Sequence, residues 1–346
     1  MSISTLSLLS SPRQSIYEAQ RRLADAQVEL STGRHADVGL YLGSGTADVI
    51  TLRNGIDKNQ STIDMHGLTA AELDLTQSSL AALSDLAHQF SATLIGARNA
   101  VNGQEVVKTA AWSALESLGS ILNSTHGGKF VFAGINTEVA PLENYLSATP
   151  SPGKAAVDAA FLAEFGTSQG GAAVGTITTT QMDTFLNGNF TNLFNPTAWS
   201  STFSSAADQN KSARLDAGYN IDVSANTNET AFRDLTKAFT MAFDLGTGLL
   251  NQAAFEKLVD KAVSVSSTAA EELGIVEGRL GAAQKAVSDS TEQLKQRNTI
   301  MNREVVSLEG VDQYDVSTRV NILTTQLEAS YSMTARISKL SLMDYL

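Results

Sequence analysis

The chain contains no cysteine, which excludes disulfide bonds, thiolate metal sites and cysteine nucleophiles. Positive charge is also scarce, since 24 lysines and arginines stand against 36 aspartates and glutamates, for a formal net charge of -12. We therefore expect no general attraction to nucleic acid or to an anionic membrane surface. No apolar run approaches the length of about 18 residues that a membrane span needs. The opening residues, MSISTLSLLS, lack the basic segment of a Sec signal peptide, so no such signal is expected.

Proline is the next scarcity, and its positions divide the chain. The five prolines stand at 12, 141, 150, 152 and 196, so that residues 13–140 and 197–346 are free of them. A proline inside a helix costs about 3 kcal/mol, and both flanks can therefore form long helices. The predicted helices lie near 12–34, 46–64, 68–101, 104–125, 255–308 and 314–346.

Apolar residues in these flanks recur at alternating steps of three and four. One run near the start of the chain is Ile16, Ala19, Leu23, Ala26, Leu30. A run near the end is Val316, Val320, Leu323, Leu327. This spacing returns an apolar residue to the same helix face, which is typical of a coiled coil or a long bundle. Because the two flanks enclose a different middle segment, they are expected to pair with each other.

The segment 141–224 differs from the flanks in composition. It holds four of the five prolines, runs such as GTSQGGAAVGTITTT, and short β-prone pieces between glycine and asparagine turns. The predicted fold class is therefore mainly α: a long antiparallel helical rod and a terminal coiled coil formed by both chain ends, with an inserted smaller β-rich or α+β domain. The predicted parts are 1–45 with 309–346 for the coiled coil, 46–140 with 225–308 for the rod, and 141–224 for the insert.

No residue pattern supports catalysis or cofactor binding. The four histidines are dispersed and show no HxxxH or HExxH spacing, so a metal site is not expected. GTSQGGAAVG lacks the GK[ST] of a phosphate loop. Asp312 and Asp315 are close enough for acid–base work, but solvated residues at a helix interruption explain them better. We expect no enzyme, no cofactor and no metal.

Several stretches resemble a known family. LADAQVELSTGRHADVG (23–39) and SGTADVITLRNGIDKNQ (44–60) are similar to the amino-terminal region of bacterial flagellins and flagellin-like axial proteins, and QLEASYSMTARISKLSLMDYL (326–346) is similar to their carboxyl-terminal region. Within the family, GGKFVFAGINTEVAPL (127–142), here called the connecting turn, and the ending SLMDYL resemble the hook–filament junction members (third hook-associated proteins) more than the flagellins.

The resemblance implies a place and partners that the spacing alone does not show. It implies export through the flagellar type III apparatus and a location outside the cell, at the junction of hook and filament. The implied partners are copies of the same chain in a ring, the first hook-associated protein, flagellin and a type III export chaperone. It also implies that the two chain ends form an antiparallel pair that orders upon assembly.

The candidate site residues follow from the seam spacing and from the resemblance. The expected assembly interface comprises Leu23, Leu30, Val320, Leu323, Leu327, Tyr331, Ile337, Leu340, Leu342, Tyr345 and Leu346. The expected turn from rod to insert depends on Gly128, Phe130, Phe132 and Gly134, with positive φ at both glycines and the phenylalanines as anchors.

Three alternatives remain open. The chain could be a flagellin that forms the filament itself. It could be a surface protein that binds polysaccharide through Trp199, Phe194 and Tyr219, although a small domain's own core explains these aromatics better. An intracellular coiled-coil scaffold is the third alternative.

Overall fold

The computed structural model describes residues 5–216 and 219–343, with side chains for 13–215 and 219–336. The chain divides into a terminal unit, residues 1–63 and 293–346, and a middle unit, Asp64–Glu292. The three-part division expected from the sequence has other boundaries and stays a prediction. Long helices dominate the described part of the chain, which confirms the predicted mainly-α class.

The terminal unit is built from chain ends that lie far apart in sequence. It contains α1 (Thr5–Thr32), the short α2 (Val38–Leu42), a 3-10 turn (Gly43–Gly45) and α11 (Gln313–Met343). It also includes the first part of α3 (Thr46–Ala97) and the last part of α10 (Gln252–Glu309).

The middle unit contains the rest of α3 and α10, together with α4 (Gly103–Leu122) and α9 (Thr230–Asp244). Between α4 and α9 come β1 (Thr125–His126), β2 (Lys129–Phe130), α5 (Pro152–Phe165), a 3-10 turn (Ala172–Thr176), α6 (Thr179–Asn187), α7 (Asn189–Asn192), α8 (Pro196–Thr202), β3 (Ser212–Asp216) and β4 (Tyr219–Asp222). Helices α4 and α9 pack on each other, and one continuous apolar core joins all four long helices to the inserted segment.

Helix α3 is a single helix, whereas the sequence predicted a break between residues 64 and 68. Gly67 lies inside it at a cost of about 1 kcal/mol relative to alanine. Tertiary contacts of the neighbouring His66 outweigh this cost. Its ring is buried, with Nδ1 2.9 Å from Thr291 Oγ1 on α10 and Nε2 2.8 Å from the carbonyl oxygen of Arg214 on β3.

The inserted segment is mixed, with short helices and one antiparallel hairpin, so the α+β alternative describes it better than the β-rich one. Its polar and proline residues, which suggested turns between strands, cap helices instead. The Ser151 side chain accepts from the Lys154 amide ahead of Pro152, and Asn195 accepts from Ala198 ahead of Pro196. Capping residues and turn residues are the same types, which is why composition did not separate the two.

Candidate assembly surface and connecting turn

Helices α1 and α11, here called the terminal pair, run antiparallel. Near one end, Gln20 Nε2 donates to Tyr331 Oη at 2.5 Å, and further along, Arg319 Nη1 donates to Glu29 Oε2 at 3.0 Å. At the other end, the Val311 amide donates to the Gly33 carbonyl at 3.1 Å. The pairing of the two chain ends that the heptad spacing predicted is therefore present in the folded chain.

An apolar seam lies between the two helices. Ala26, Val316 and Leu323 are buried, and the partly buried Leu23 and Val320 pack against them. Three of the predicted interface residues, Leu23, Val320 and Leu323, are thus brought together, and Leu327 is buried as well. These side chains are covered within one chain, so their part in contacts between subunits stays a prediction.

The other predicted interface residues lie elsewhere. Leu30 is 37% exposed and Tyr331 is 49% exposed, so both present apolar surface to solvent. The side chains of Ile337, Leu340 and Leu342, and the whole of Tyr345 and Leu346, lie outside the described residues.

The terminal pair also exposes a second set of apolar residues that the sequence analysis did not select. The set comprises Tyr17 and Val28 on α1 and Ile322 and Met333 on α11. The spacing of apolar residues in the sequence could have indicated this second set. Tyr17, Ala24 and Val28 step by seven and four residues, and so do Ile322, Ala329 and Met333. Each helix therefore has an outer apolar stripe beside the seam that faces its partner.

Two glutamates hold the ends of the terminal pair in place. Glu309, at the end of α10, is buried and accepts from Arg34 Nε at 2.8 Å and from Arg53 Nη2 at 2.6 Å. Glu29 is also buried, accepts from Arg319 and lies 3.5 Å from the His35 ring. The two glutamates are desolvated, whereas their arginine partners are about half exposed. Each buried carboxylate therefore depends on these partners for compensation of its charge.

The aspartates near residue 312 have the structural role that the sequence analysis favoured. Asp312 Oδ1 accepts from the Tyr314 amide at 2.8 Å, which caps the start of α11. Asp315 pairs with Arg319 at 2.9 Å, one turn further along. The two carboxylates are thus engaged in helix capping and an ion pair.

The start of the connecting turn forms part of a β-hairpin with a two-residue loop. Thr125 pairs with Phe130 and His126 with Lys129, and Gly127 and Gly128 between them have φ of +57° and +80°. Positive φ at both positions is the geometry of a type I′ turn, which strongly favours glycine. The hairpin was not predicted, although two adjacent glycines are a known signal for it.

Beyond the hairpin, the connecting turn is fastened by its backbone and by one aromatic anchor. Phe132 is fully buried and meets the Phe232 ring edge-to-face at 5.6 Å, whereas Phe130 is only half-buried. Gly134 has a φ of +63°, and its Cα lies against the carbonyls of Ala207 and Gln209. The structure confirms the positive φ expected at Gly128 and Gly134.

The aromatics considered for polysaccharide binding are mostly inside the core. Trp199 and Phe194 are buried, and the Trp199 indole donates to Asn228 Oδ1 at 3.0 Å. Neither ring is available to stack on a sugar. Tyr219 alone of the three is exposed.

Among residues 5–216 and 219–343, no group of three or more histidine, aspartate or glutamate residues is arranged to hold a metal ion. In the same part of the chain, no helix combines the length and the apolar character that crossing a membrane requires.

Comparison with known proteins relates both flanks of the chain to protein-family models. Residues 3–137 match the family model for the bacterial flagellin N-terminal helical region, and residues 259–346 match that for the C-terminal helical region. Comparison with curated proteins gave no match.

Solved structures of low sequence identity also match the chain. A protein of Vibrio parahaemolyticus assigned as a flagellar hook-associated protein matches with a TM-score of 0.51 and 11% identity, over 77% of this chain and 97% of that one. Bacillus cereus FlgL gives a TM-score of 0.42 and 12% identity, over 77% of this chain and 99% of that one.

Paired terminal helices and an inserted segment define a protein of the mainly helical class. The two family models together match well over half of the chain, and the chain belongs to the flagellin-like family of bacterial axial proteins. Its role is structural and lies in the bacterial flagellum, an extracellular appendage in which such proteins associate with copies of themselves and with other flagellar components.

Proposed function

We propose that this chain joins the flagellar hook to the filament as a ring of identical subunits, between the first hook-associated protein and flagellin. The observation that carries the proposal is the connecting turn. Its glycine, basic, aromatic and Phe-Ala-Gly residues resemble those of junction members, and they form a hairpin followed by an anchored turn. The ending SLMDYL supports the same assignment by resemblance.

The terminal pair is the part of the chain proposed to contact neighbouring subunits. Its seam is covered within the chain, but Leu30, Tyr331 and the outer apolar stripes remain exposed. Exposed apolar residues on two adjoining helices gain free energy when a neighbouring subunit covers them. In this proposal, the exposed surface of the terminal pair contacts the terminal pairs of other copies of this chain. It also contacts the first hook-associated protein and flagellin. An export chaperone covers the carboxyl-terminal segment before type III export.

The rival function is that of a flagellin, which forms the filament by adding to itself without limit. It is favoured by one observation, namely that both matching family models describe flagellin regions. The two functions differ in whether copies of this chain elongate.

A polymerisation test separates them. The purified chain is mixed with filament seeds in an ammonium sulfate series, which strengthens apolar burial, and the products are viewed by negative-stain electron microscopy. Flagellin from the same cells is the positive control for elongation. We expect no long filaments from this chain, but binding to isolated hooks that carry the first hook-associated protein. Long filaments composed of this chain alone would contradict the proposal and favour the flagellin role.

A further inference from the structure

A cavity of about 320 Å³ lies in the middle unit, at a distance in sequence from the terminal pair. Its walls come from α4, from residues 142–146, from Phe203 after α8 and from Thr236 on α9. Ligand pockets in proteins span roughly 300–1,000 Å³, so this one is at the small end and suits a single side chain or a small organic ion.

The wall formed by residues 142–146 is held rigidly. The Asn123 side chain donates to the Leu142 carbonyl at 2.9 Å and accepts from the Leu142 amide at 3.0 Å. The Glu143 amide donates to the Phe203 carbonyl at 2.9 Å, and Tyr145 Oη donates to Asp244 at 2.5 Å. The cavity is therefore formed before any ligand arrives, which lowers the entropy cost of binding.

The lining combines an aromatic wall, an apolar floor and negative charge. Trp112 is 44% exposed, while Leu118 and Phe203 are buried beneath the cavity. Glu116 and Glu143 are exposed lining residues that form no ion pair within the described chain, and no lysine, arginine or histidine lines the cavity. Trp112 and Glu116 lie one turn apart on α4, and Glu143 lines the same cavity. An indole ring and two carboxylates around one cavity attract a cation, and an apolar floor accepts the aliphatic stem that carries it.

We infer that this cavity binds the side chain of an arginine or lysine presented by another protein. The guanidinium or ammonium group lies against Trp112 between Glu116 and Glu143, and the aliphatic stem covers Leu118 and Phe203. The inference concerns a surface of the middle unit and does not depend on whether the chain is a junction protein or a flagellin.

The two tryptophans of the chain make the test specific. In the full-length protein labelled with ¹⁵N-tryptophan, Trp112 and Trp199 give two indole N–H signals, and Trp112→Phe assigns them. The probe is Nα-acetyl-arginine methylamide. The control is the citrulline analogue, which has a similar shape but no charge. We expect arginine to shift the Trp112 signal saturably at millimolar concentration while the signal of buried Trp199 stays in place, and citrulline to bind at least about threefold more weakly.

Charge variants identify the carboxylates involved. Glu116→Gln and Glu143→Gln should each weaken arginine binding by about threefold, since partly exposed ion pairs are of this strength. Glu105→Gln, on the same helix but outside the cavity, should leave binding unchanged. If Trp112→Phe fails to fold by circular dichroism, Trp199→Phe assigns the signals instead.

Three outcomes would overturn the inference. One is equal binding of arginine and citrulline, which would mean that the positive charge of the side chain does not contribute to binding. Another is a Trp112 shift with an N-acetylglucosamine oligomer and none with arginine, which would make the cavity a carbohydrate site. The third is the absence of a saturable shift with any of these probes.

Discussion

Gly128 and Gly134 both have positive φ, but their surroundings differ. A Cβ at Gly128 would meet nothing within 4 Å, whereas a Cβ at Gly134 would lie 2.5 Å from the Ala207 carbonyl oxygen and 2.6 Å from that of Gln209. Replacement of the first glycine therefore adds backbone strain alone. Replacement of the second adds strain and a collision with backbone that cannot easily move.

We predict that Gly128→Ala lowers the free energy of unfolding of the middle unit by about 1–2 kcal/mol, the cost of a left-handed residue. Gly134→Ala should lower it by about 2–5 kcal/mol, because overpacking adds to the strain. Urea unfolding followed by tryptophan fluorescence measures both, since Trp112 and Trp199 belong to this unit. Equal effects of the two variants would show that contact with residues 207–209 is unimportant.

Tyr145 is a second residue whose environment gives a quantitative expectation. Burial, together with the negative charge of Asp244 that accepts its hydrogen bond, raises the pKa of Tyr145 above its ordinary value. The folded state therefore retains the Tyr145 proton where the unfolded state loses it, above about pH 10. The stability contributed by this proton is fully present below about pH 10, the pKa of tyrosine in the unfolded chain. It is lost as the pH rises from there towards the higher pKa of Tyr145 in the folded chain.

We predict that Tyr145→Phe destabilises the middle unit by about 1.5–3 kcal/mol at pH 7, where the hydrogen bond to a carboxylate is lost. Above pH 10, the free energy of unfolding should fall less steeply with pH in the variant than in the wild type. The two slopes should differ by about 1.4 kcal/mol per pH unit. Urea unfolding at pH 7 and at several values above pH 10 tests this. Tyr219→Phe, at an exposed position on β4, is the matched control at pH 7. Parallel alkaline slopes for Tyr145→Phe and wild type would contradict the assignment.

At the scale of elements, the terminal pair depends on how α10 ends and α11 begins. Gly310 stands opposite Arg34 in an isolated antiparallel bridge, and the His35 amide donates to the Glu309 carbonyl at 3.0 Å. The side chain of Glu309 meanwhile binds Arg34 and Arg53. One residue thus positions the end of α10, the segment after α1 and the start of α3.

We predict that Glu309→Gln loosens this part of the terminal unit by about 1–3 kcal/mol, because two arginines lose their carboxylate. Amide hydrogen exchange of His35 and Val311 should accelerate about tenfold for each 1.4 kcal/mol lost. Glu304→Gln, at an exposed position on the same helix, is the matched control and should leave both amides unchanged. Unchanged protection in Glu309→Gln would mean that the backbone contacts suffice on their own.

At the scale of the whole molecule, the seam and the outer stripes of the terminal pair can be tested separately for a contribution to assembly. Leu327 is buried against its own chain, whereas Ile322, on the same helix, is 61% exposed. A charge at the first position disrupts the pair, since an unpaired buried charge is strongly unfavourable. A charge at the second position leaves the pair intact and affects only what covers the outer face.

We predict that Leu327→Asp reduces helicity and blocks incorporation into flagella, while the tryptophan fluorescence of the middle unit stays that of the folded state. Ile322→Asp should also block incorporation, but with the helicity of the wild type by circular dichroism. Thr324→Asp places the same charge at an exposed polar position of α11 and should incorporate normally. Normal incorporation of Ile322→Asp would exclude this outer position from the subunit contacts, and loss of the middle unit's fold in Leu327→Asp would contradict the division of roles.

The sequence by itself determined the long helices, the pairing of the two chain ends and the absence of catalytic motifs. Proline-free flanks with apolar steps of three and four allow few other arrangements, because local propensity and seam spacing agree over many turns. Positive φ at Gly128 and Gly134 was also predicted from the sequence, because it is a local property of the backbone that favours glycine.

The tertiary structure alone decided which apolar residues are covered within the chain and which remain exposed. Leu323 and Leu327 are buried within their own chain, whereas Ile322 on the same helix is exposed. Heptad spacing cannot distinguish a seam within a subunit from one between subunits. Tertiary contacts also decide that α3 continues past Gly67 and that the proline and asparagine residues of the insert lie at helix caps. They bury Trp199 in the core, whereas Trp112 lines a cavity. The physical reason is the same in each case: burial is a property of what lies opposite a residue, and the residues that lie opposite come from distant parts of the chain.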